Sequence, residues 1–202
     1  MTDHAAGTDP TDPAAPDGPA GEVDPAEAQE AAVAAYWETA RKRAGLTRLD
    51  VVVGQQAVGA VQPPAWSFGV DAREADELLE LVLAGRKTGT ASAAELYEVE
   101  GMEVPAPGDM SIILDGTGRP RALIVTTEVA TVPFRDVDAD HAAAEGEGDL
   151  SLTHWREVHE RFLTDGLAQV GREFSPDTAV VVERFRLLDP KPSRAPDQQS
   201  DT

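Results

Sequence analysis

The 202-residue sequence contains no cysteine, which excludes disulfide bonds, thiolate catalysis and cysteine-ligated zinc. It has no apolar run near the roughly 18 residues of a membrane span, and it does not begin with the basic-then-apolar pattern of an export signal. Basic residues are scarce, because 17 Lys and Arg stand against 37 Asp and Glu, for a formal net charge of −20. We therefore expect a cytoplasmic protein without a membrane or DNA partner, and without the dense basic surface that coats long nucleic acid.

The acidic charge is spread unevenly along the chain. Residues 1–30 hold eight acidic residues and no Lys or Arg, whereas residues 31–189 hold 27 acidic and 15 basic residues. The N-terminal stretch is rich in Pro, Ala and Gly and cannot bury enough apolar surface to fold. Whether residues 46–65 are ordered stays open. The predicted segments are a disordered acidic tail at 1–28, a helix with a connecting segment at 29–65, a folded domain at 66–189 and a second disordered tail at 190–202.

Apolar spacing and turn residues predict a mixed order of helices and strands. A helix over 31–45 precedes a second helix that begins after the N-cap Asp71 and ends before Gly85. Two strand-like runs around a turn predict a hairpin over 109–132. The remaining predicted elements are a short helix over 138–144, a helix over 152–163 with core candidates Trp155, Val158 and Phe162, and a closing strand over 179–188. This order is not a regular strand–helix alternation, so we expect an α+β domain around a small, mostly antiparallel sheet or barrel.

Cations and hydroxyls are concentrated after the second predicted helix, in the stretch GRKTGT at residues 85–90. It is not a Walker A phosphate loop, because Arg86 stands where that motif needs glycine and the helix precedes the loop instead of following it. Two interpretations stay open. Arg86 and Lys87 could simply complement the negative end of the helix dipole, or they could line a site.

A second candidate stretch, HAAAEGEGD at residues 141–149, contains three acidic residues among its last five positions. His141 and Glu145 share a helix face, because they are four residues apart. The stretch could be a solvated acidic loop, or it could place carboxylates in a cleft. His154 and His159 are five residues apart and lie on different helix faces, which matches no zinc motif. We predict no metal and no cofactor.

Together these stretches resemble the ASCH domain family over roughly residues 66–188. The resemblance rests on GRKTGTAS, the GD before the hairpin, HAAAEGEGD and the closing ERF strand, which occur in the family's order. The chain is most similar to the longer bacterial branch with the EGEGDLS loop. The resemblance implies a small β-barrel with flanking helices, similar to the PUA domain of RNA-modifying proteins, with a cleft at the RKT-x-T element.

The resemblance also implies a chemistry. One short branch of the family removes acyl groups from N4-acylcytidine, and its reactive Lys, Thr and Glu correspond to Lys87, Thr90 and Glu145. Members of the longer branch have been associated with ribonuclease activity. Considered on its own, Thr90 needs a base to become a nucleophile, and Lys87 could be that base if burial or the neighbouring Arg86 lowers its pKa. Glu145 would orient Lys87 or carry a proton to the departing amine.

Five further residues are predicted to bind the ligand, namely Arg86, Thr88, Ser92, His141 and Glu147. Glu147 is also a rival of Glu145 for the role of the active carboxylate. The leading hypothesis is a hydrolase of a small modified nucleoside, because the acidity of the domain penalises long RNA. The alternatives are a ribonuclease on single-stranded RNA, a non-catalytic RNA- or nucleotide-binding module, and a regulatory protein that binds a partner through its acidic tail. The chain could also form a homodimer.

Overall fold

The computed structural model describes residues 24–46 and 61–191. Its helices are α1 (Pro25–Arg43), α2 (Ala72–Leu83), α3 (Ala94–Glu100), α4 (Ala139–Glu145) and α5 (Leu152–Gln169). Its strands are β1 (Ala65–Trp66), β2 (Gly89–Ala93), β3 (Met110–Leu114), β4 (Pro120–Pro133) and β5 (Ala179–Asp189). The predictions made for residues 1–23, 47–60 and 192–202 lie outside the described residues.

Polar side chains cap the first turns of four helices and so determine where these helices begin. Asp24 caps α1, Asp71 caps α2, Asp138 caps α4 and Ser151 caps α5, each by accepting a hydrogen bond from a backbone N–H of the first turn. The predicted start of α2 is therefore confirmed. Helix α1 begins at Pro25 instead of residue 31, so the end of the predicted acidic tail is helical.

The strands form one five-stranded sheet with the order β1-β3-β4-β5-β2. The short strand β1 pairs in parallel with β3, and every other pairing is antiparallel. This confirms an α+β fold with a mostly antiparallel sheet. Among the described residues the pairing runs from the edge strand β1 to the edge strand β2 without closing, so the sheet is open where a barrel was predicted.

Helices cover this sheet at three places, and each place has its own apolar cluster. The members of each cluster come from both the helix and the strands, as burial of a continuous core requires. The largest contributors are Val33, Trp37, Ile112 and Leu123 under α1, Leu79, Val82, Ile113 and Phe185 under α2, and Ala91, Trp155, Leu163, Leu167 and Val180 under α4 and α5. Helices α4 and α5 therefore sit over the edge strand β2, which begins two residues after Lys87.

Strand β2 and helix α3 were absent from the predicted elements. The sequence of β2, GTASA, has few of the β-branched and aromatic residues that strands favour, but β5 pairs with it along its whole length. Its small side chains let α4 approach closely, because a Cβ on Gly89 would lie 3.5 Å from Cβ of Ala144. Helix α5 also extends to Gln169, beyond the predicted end, and its Phe162 is 38% exposed instead of belonging to the core.

Candidate functional site

The loop between α2 and β2 is hydrogen-bonded to both neighbouring helices. The backbone N–H groups of Arg86 and Lys87 both donate to the carbonyl of Leu81 at the end of α2, at 2.8 and 3.0 Å. The backbone N–H of Thr88 donates to the carbonyl of Ala144 in α4, at 2.7 Å. These bonds fix the backbone on both sides of Lys87 and direct its side chain towards the end of α4.

Lys87 is almost completely buried, with 2% of its side chain exposed, and it is held by two carboxylates. Its Nζ lies 2.9 Å from Oε2 of Glu145 and 2.6 Å from Oε1 of Glu147. The same ammonium group lies 5.2 Å from the centre of the Phe68 ring, within the range of a cation–π contact. Two of its three N–H donors are thus committed to carboxylates, and one remains for the face towards Phe68 and the adjoining cavity.

Glu145 is buried more deeply than Lys87 and is surrounded by donors. Its Oε1 accepts from Nε1 of Trp155 at 2.8 Å and lies 3.1 Å from Nε2 of His141 and 3.4 Å from Nε2 of His159. Its Oε2 is occupied by Lys87. Both carboxylate oxygens therefore have partners within the protein, which makes Glu145 a fixed anchor for the lysine.

In this buried pair, each charge stabilises the ionised form of the other residue. Burial alone would lower the pKa of Lys87, but the carboxylates of Glu145 and Glu147 outweigh it and raise the pKa above its usual value. Burial alone would raise the pKa of Glu145, but the Lys87 cation and the hydrogen bonds from His141 and His159 hold it well below its usual range. Lys87 is therefore a cation at neutral pH. The condition under which Lys87 could accept the Thr90 proton, a lowered pKa, is not met, because the groups that contact its ammonium are carboxylates and not cations.

A cavity of about 440 Å³ opens beside this ion pair. One wall comes from the segment before α2 and from α2 itself, the opposite wall comes from α5, and the floor comes from the Lys87 loop, β2 and the end of α4. Its main lining residues are Phe68, Glu74 and Leu78 on the first wall, His159, Arg161, Phe162 and Asp165 on the second, and Lys87, Thr90, Glu145 and Glu147 on the floor. The cavity thus brings a buried cation, a hydroxyl and two aromatic rings to one place.

The balance of charge in this lining is not basic. Four carboxylates and two fixed cations, Lys87 and Arg161, belong to it. Both carboxylates of the floor, Glu145 and Glu147, already neutralise Lys87 by direct contact. Such a lining repels phosphate groups more than it attracts them. The apolar part of the lining includes Phe68, Leu78 and Phe162.

The structure brings together four of the eight predicted site residues, Lys87, Thr90, Glu145 and Glu147. The other four lie outside the lining of this cavity. Arg86 is exposed, the Thr88 hydroxyl donates to the carbonyl of Ala144 at 3.2 Å, Ser92 shares a 2.9 Å hydrogen bond with the Tyr97 hydroxyl, and His141 lines another cavity of about 250 Å³ behind Glu145. None of these four residues lines the larger cavity, so ligand contacts there are expected only from the first four.

Two residues around Glu145 were missed as parts of the site, Trp155 and His159. They are four positions apart on α5 and their rings stack at a centroid distance of 4.1 Å. The i, i+4 spacing that linked His141 to Glu145 could have linked these two as well. The spacing of His159 to His154 gives no such signal, because the two lie on different faces of α5, and the apolar periodicity of α5 accounts for Trp155 as a core residue. Among the described residues no group of three or more acidic or histidine side chains is arranged to hold a metal ion.

Comparison with known proteins decides the family. A family model of the ASCH domain matches residues 64–189. This chain belongs to the ASCH domain family. The matched range covers the whole sheet and every lining residue of the larger cavity, whereas α1 precedes it. No curated protein matches the sequence.

Solved structures support the assignment. The crystal structure of protein EF3133 from Enterococcus faecalis V583 is 32% identical to this ASCH chain, with a TM-score of 0.67, and the match covers 79% of this chain and 91% of that one. The ASCH domain from Lactobacillus crispatus JV V101 is 28% identical with a TM-score of 0.61, and the match covers 73% of this chain and 94% of that one. Within the part of the ASCH chain that the structure describes, no helix has the length and apolar character needed to cross a membrane.

Proposed function

We propose that this ASCH protein hydrolyses the acyl amide of a small modified nucleoside of the N4-acylcytidine type. The observation that carries the proposal is the buried Lys87 ammonium, fixed by two carboxylates beside Thr90 in one cavity. A fixed cation next to a hydroxyl is what acyl transfer to threonine needs, because charge develops on the amide oxygen as the hydroxyl attacks.

Lys87 acts here as an electrostatic group and not as a base. Its uncommitted N–H would donate to the amide oxygen and stabilise the negative charge of the tetrahedral intermediate. Thr90 would attack the acyl carbon and carry the acyl group until water releases it. Glu145 is a positioning residue, since its oxygens are occupied by Lys87, Trp155 and His141. Glu147, whose side chain is 23% exposed, is the more accessible carboxylate.

The lining favours a nucleoside over RNA. The exposed ring of Phe162 and the nearly buried ring of Phe68 line the cavity, and a nucleobase can stack on such a surface. Four carboxylates against two cations penalise a chain of phosphates at the same place. A neutral acylated cytidine has a base that can stack and carries no phosphate chain, so we rank it ahead of single-stranded RNA as the substrate.

The test is an assay of the purified protein with N4-acetylcytidine, in which cytidine and acetate are quantified by chromatography. We expect turnover by the wild type, and we expect Lys87→Met and Thr90→Ala each to lower kcat/KM by about a hundredfold or more. Arg86→Met is the matched control, because it removes the adjacent but exposed cation. Turnover that survives Thr90→Ala would contradict the acyl-threonine scheme.

The same assay separates the alternative functions. Single-stranded RNA is incubated in parallel, and its fragments are resolved on a gel. RNA cleavage without nucleoside turnover would replace the proposed activity with a ribonuclease. Nucleoside or RNA binding without any turnover would indicate a non-catalytic binding module.

A further inference from the structure

We propose that Glu183 is the base that takes the proton of Thr90. This inference rests on the proposed acyl transfer and supplies the group that the scheme lacks. Lys87 is already an ammonium, so it has no lone pair for a proton, and both oxygens of Glu145 are committed. The reaction therefore needs another proton acceptor near the Thr90 hydroxyl.

The register of the sheet places Glu183 in that position. Thr90 of β2 and Glu183 of β5 are directly opposite each other in an antiparallel pair. Side chains of directly opposed residues point to the same face, with Cβ atoms about 4.5–5.5 Å apart. Phe185, two residues further along β5, points to the same face and stacks with Phe68, whose ring lines the cavity. Glu183 thus shares a face of the sheet with Thr90, which lines the cavity, although Glu183 itself is not one of the lining residues.

The Glu183 carboxylate has one oxygen in a hydrogen bond and one oxygen available to accept a proton. One of its oxygens, Oε2, accepts from the Thr126 hydroxyl of β4 at 3.1 Å, which leaves Oε1 for Thr90. Among the described residues Glu183 takes part in no ion pair, whereas Glu147 is bound to Lys87 at 2.6 Å. A carboxylate that is not neutralised by a cation is the better proton acceptor of the two.

The surroundings of Glu183 make its carboxylate a stronger proton acceptor than an exposed glutamate. Burial raises the pKa of Glu183, the nearby Asp109 raises it further, and the hydrogen bond from Thr126 offsets only part of this. The other groups that face it are Thr90 of β2 and Tyr97 of α3, and burial raises the pKa of Tyr97, so that its phenol stays neutral. A base is most effective when its pKa lies close to the working pH.

The proposed reaction moves one proton at a time between Thr90, Glu183, the leaving amine and water. Thr90 Oγ1 forms a bond to the acyl carbon while its proton passes to Glu183, and the amide oxygen takes the negative charge beside Lys87. The tetrahedral intermediate collapses, the C–N bond breaks, and the Glu183 proton goes to the departing cytidine amine. Water then attacks the acyl-threonine and gives its proton to Glu183. The carboxylic acid leaves as that proton returns to Thr90 Oγ1.

The test compares pH profiles of kcat/KM on N4-acetylcytidine for the wild type, Glu183→Gln and Glu183→Asp, with far-UV circular dichroism as a check on folding. We expect Glu183→Gln to lower kcat/KM by about a hundredfold or more and to remove the acidic limb of the profile, and Glu183→Asp to restore part of the rate. Thr126→Val should move the acidic limb to higher pH, because it removes a hydrogen bond that favours the carboxylate. Glu128→Gln, an exposed carboxylate on β4, is the matched control.

A second readout does not depend on the natural substrate. The protein is treated with p-nitrophenyl acetate, and peptide mass spectrometry measures acetylation of Thr90. We expect Thr90 to be acetylated in the wild type and in Glu128→Gln but not in Glu183→Gln. One outcome separates the substrate from the base. If the wild type does not hydrolyse N4-acetylcytidine, but Thr90 is acetylated in the wild type and not in Glu183→Gln, the proposed substrate is wrong and the assignment of Glu183 as the base is supported. Either of two results would overturn the assignment of Glu183 as the base. The first is a wild-type rate and pH profile in Glu183→Gln, and the second is a wild-type Thr90 that is not acetylated and whose replacement by Ala does not lower turnover.

Discussion

Nζ of Lys87 lies 2.9 Å from Oε2 of Glu145, although the two residues are 58 positions apart in the chain. The backbone enforces this contact on both sides. Thr88 donates to the carbonyl of Ala144, and Gly146 has a φ of +74° and packs so closely on Arg86 that a Cβ would collide with the Arg86 carbonyl. The RKT and EGEG stretches are therefore one structural unit, in which the turn after α4 and the loop after α2 are joined by backbone contacts as well as by the ion pair.

The two carboxylates that hold Lys87 should differ in their contribution to stability. Glu145→Ala takes one carboxylate partner from Lys87, whose side chain is only 2% exposed, and it also removes the acceptor of the Trp155 indole N–H. We therefore expect a loss of about 3–5 kcal/mol in the free energy of unfolding. Glu147→Ala removes a partly exposed partner, so we expect a loss of about 1 kcal/mol. Urea unfolding of both variants measures the difference. Equal losses would contradict the anchoring role of Glu145.

The lowered pKa of Glu145 should make the protein sensitive to acid. A carboxylate whose pKa is lower in the folded state stabilises the fold above its unfolded pKa, and this stabilisation disappears as the pH falls through the folded value. The unfolded value of a glutamate is about 4.3, so we expect the free energy of unfolding to decrease below about pH 5. In Glu145→Gln the curve should start lower at pH 7 and be flatter in this range, and urea unfolding between pH 3 and 7 measures it. Glu147→Gln is the control, and a steep acid limb that persists in Glu145→Gln would exclude Glu145 as its cause.

Local signals in the sequence were enough to predict the elements that carry their own start and stop residues. Asp71 and Gly85 delimit α2, and the turn at 115–118 separates the strands of the predicted hairpin. Strand β2 could not be predicted in this way, because its conformation is imposed by pairing with β5 and not by its own residues. Helix α3 has no side-chain cap hydrogen bond, which leaves it without the usual starting signal.

The residue types of the site could be predicted from the sequence, but the protonation state of Lys87 could not. Lys87, Thr90 and Glu145 were predicted from the resemblance, and the cavity is lined by all three. Nothing in the adjacent sequence distinguishes Arg86 from Lys87, yet Arg86 is exposed and Lys87 is buried against Glu145 and Glu147. The charge of Lys87 depends on Glu145 and Glu147, which lie nearly 60 residues later in the chain, so its raised pKa required the fold.

Phe162 should contribute to ligand binding without contributing to the core. Its side chain is 38% exposed, it lies in the wall of the cavity, and stacking on an aromatic ring contributes about 1–3 kcal/mol per nucleobase. We expect Phe162→Ala to raise KM for N4-acetylcytidine by about tenfold or more while kcat and the melting temperature change little, and steady-state kinetics with thermal unfolding measure this. Phe162→Tyr keeps the ring and should keep KM near the wild-type value. A wild-type KM in Phe162→Ala would show that the nucleobase stacks elsewhere. A large fall in melting temperature would instead place Phe162 in the core, which is the position that the periodicity of α5 alone predicts.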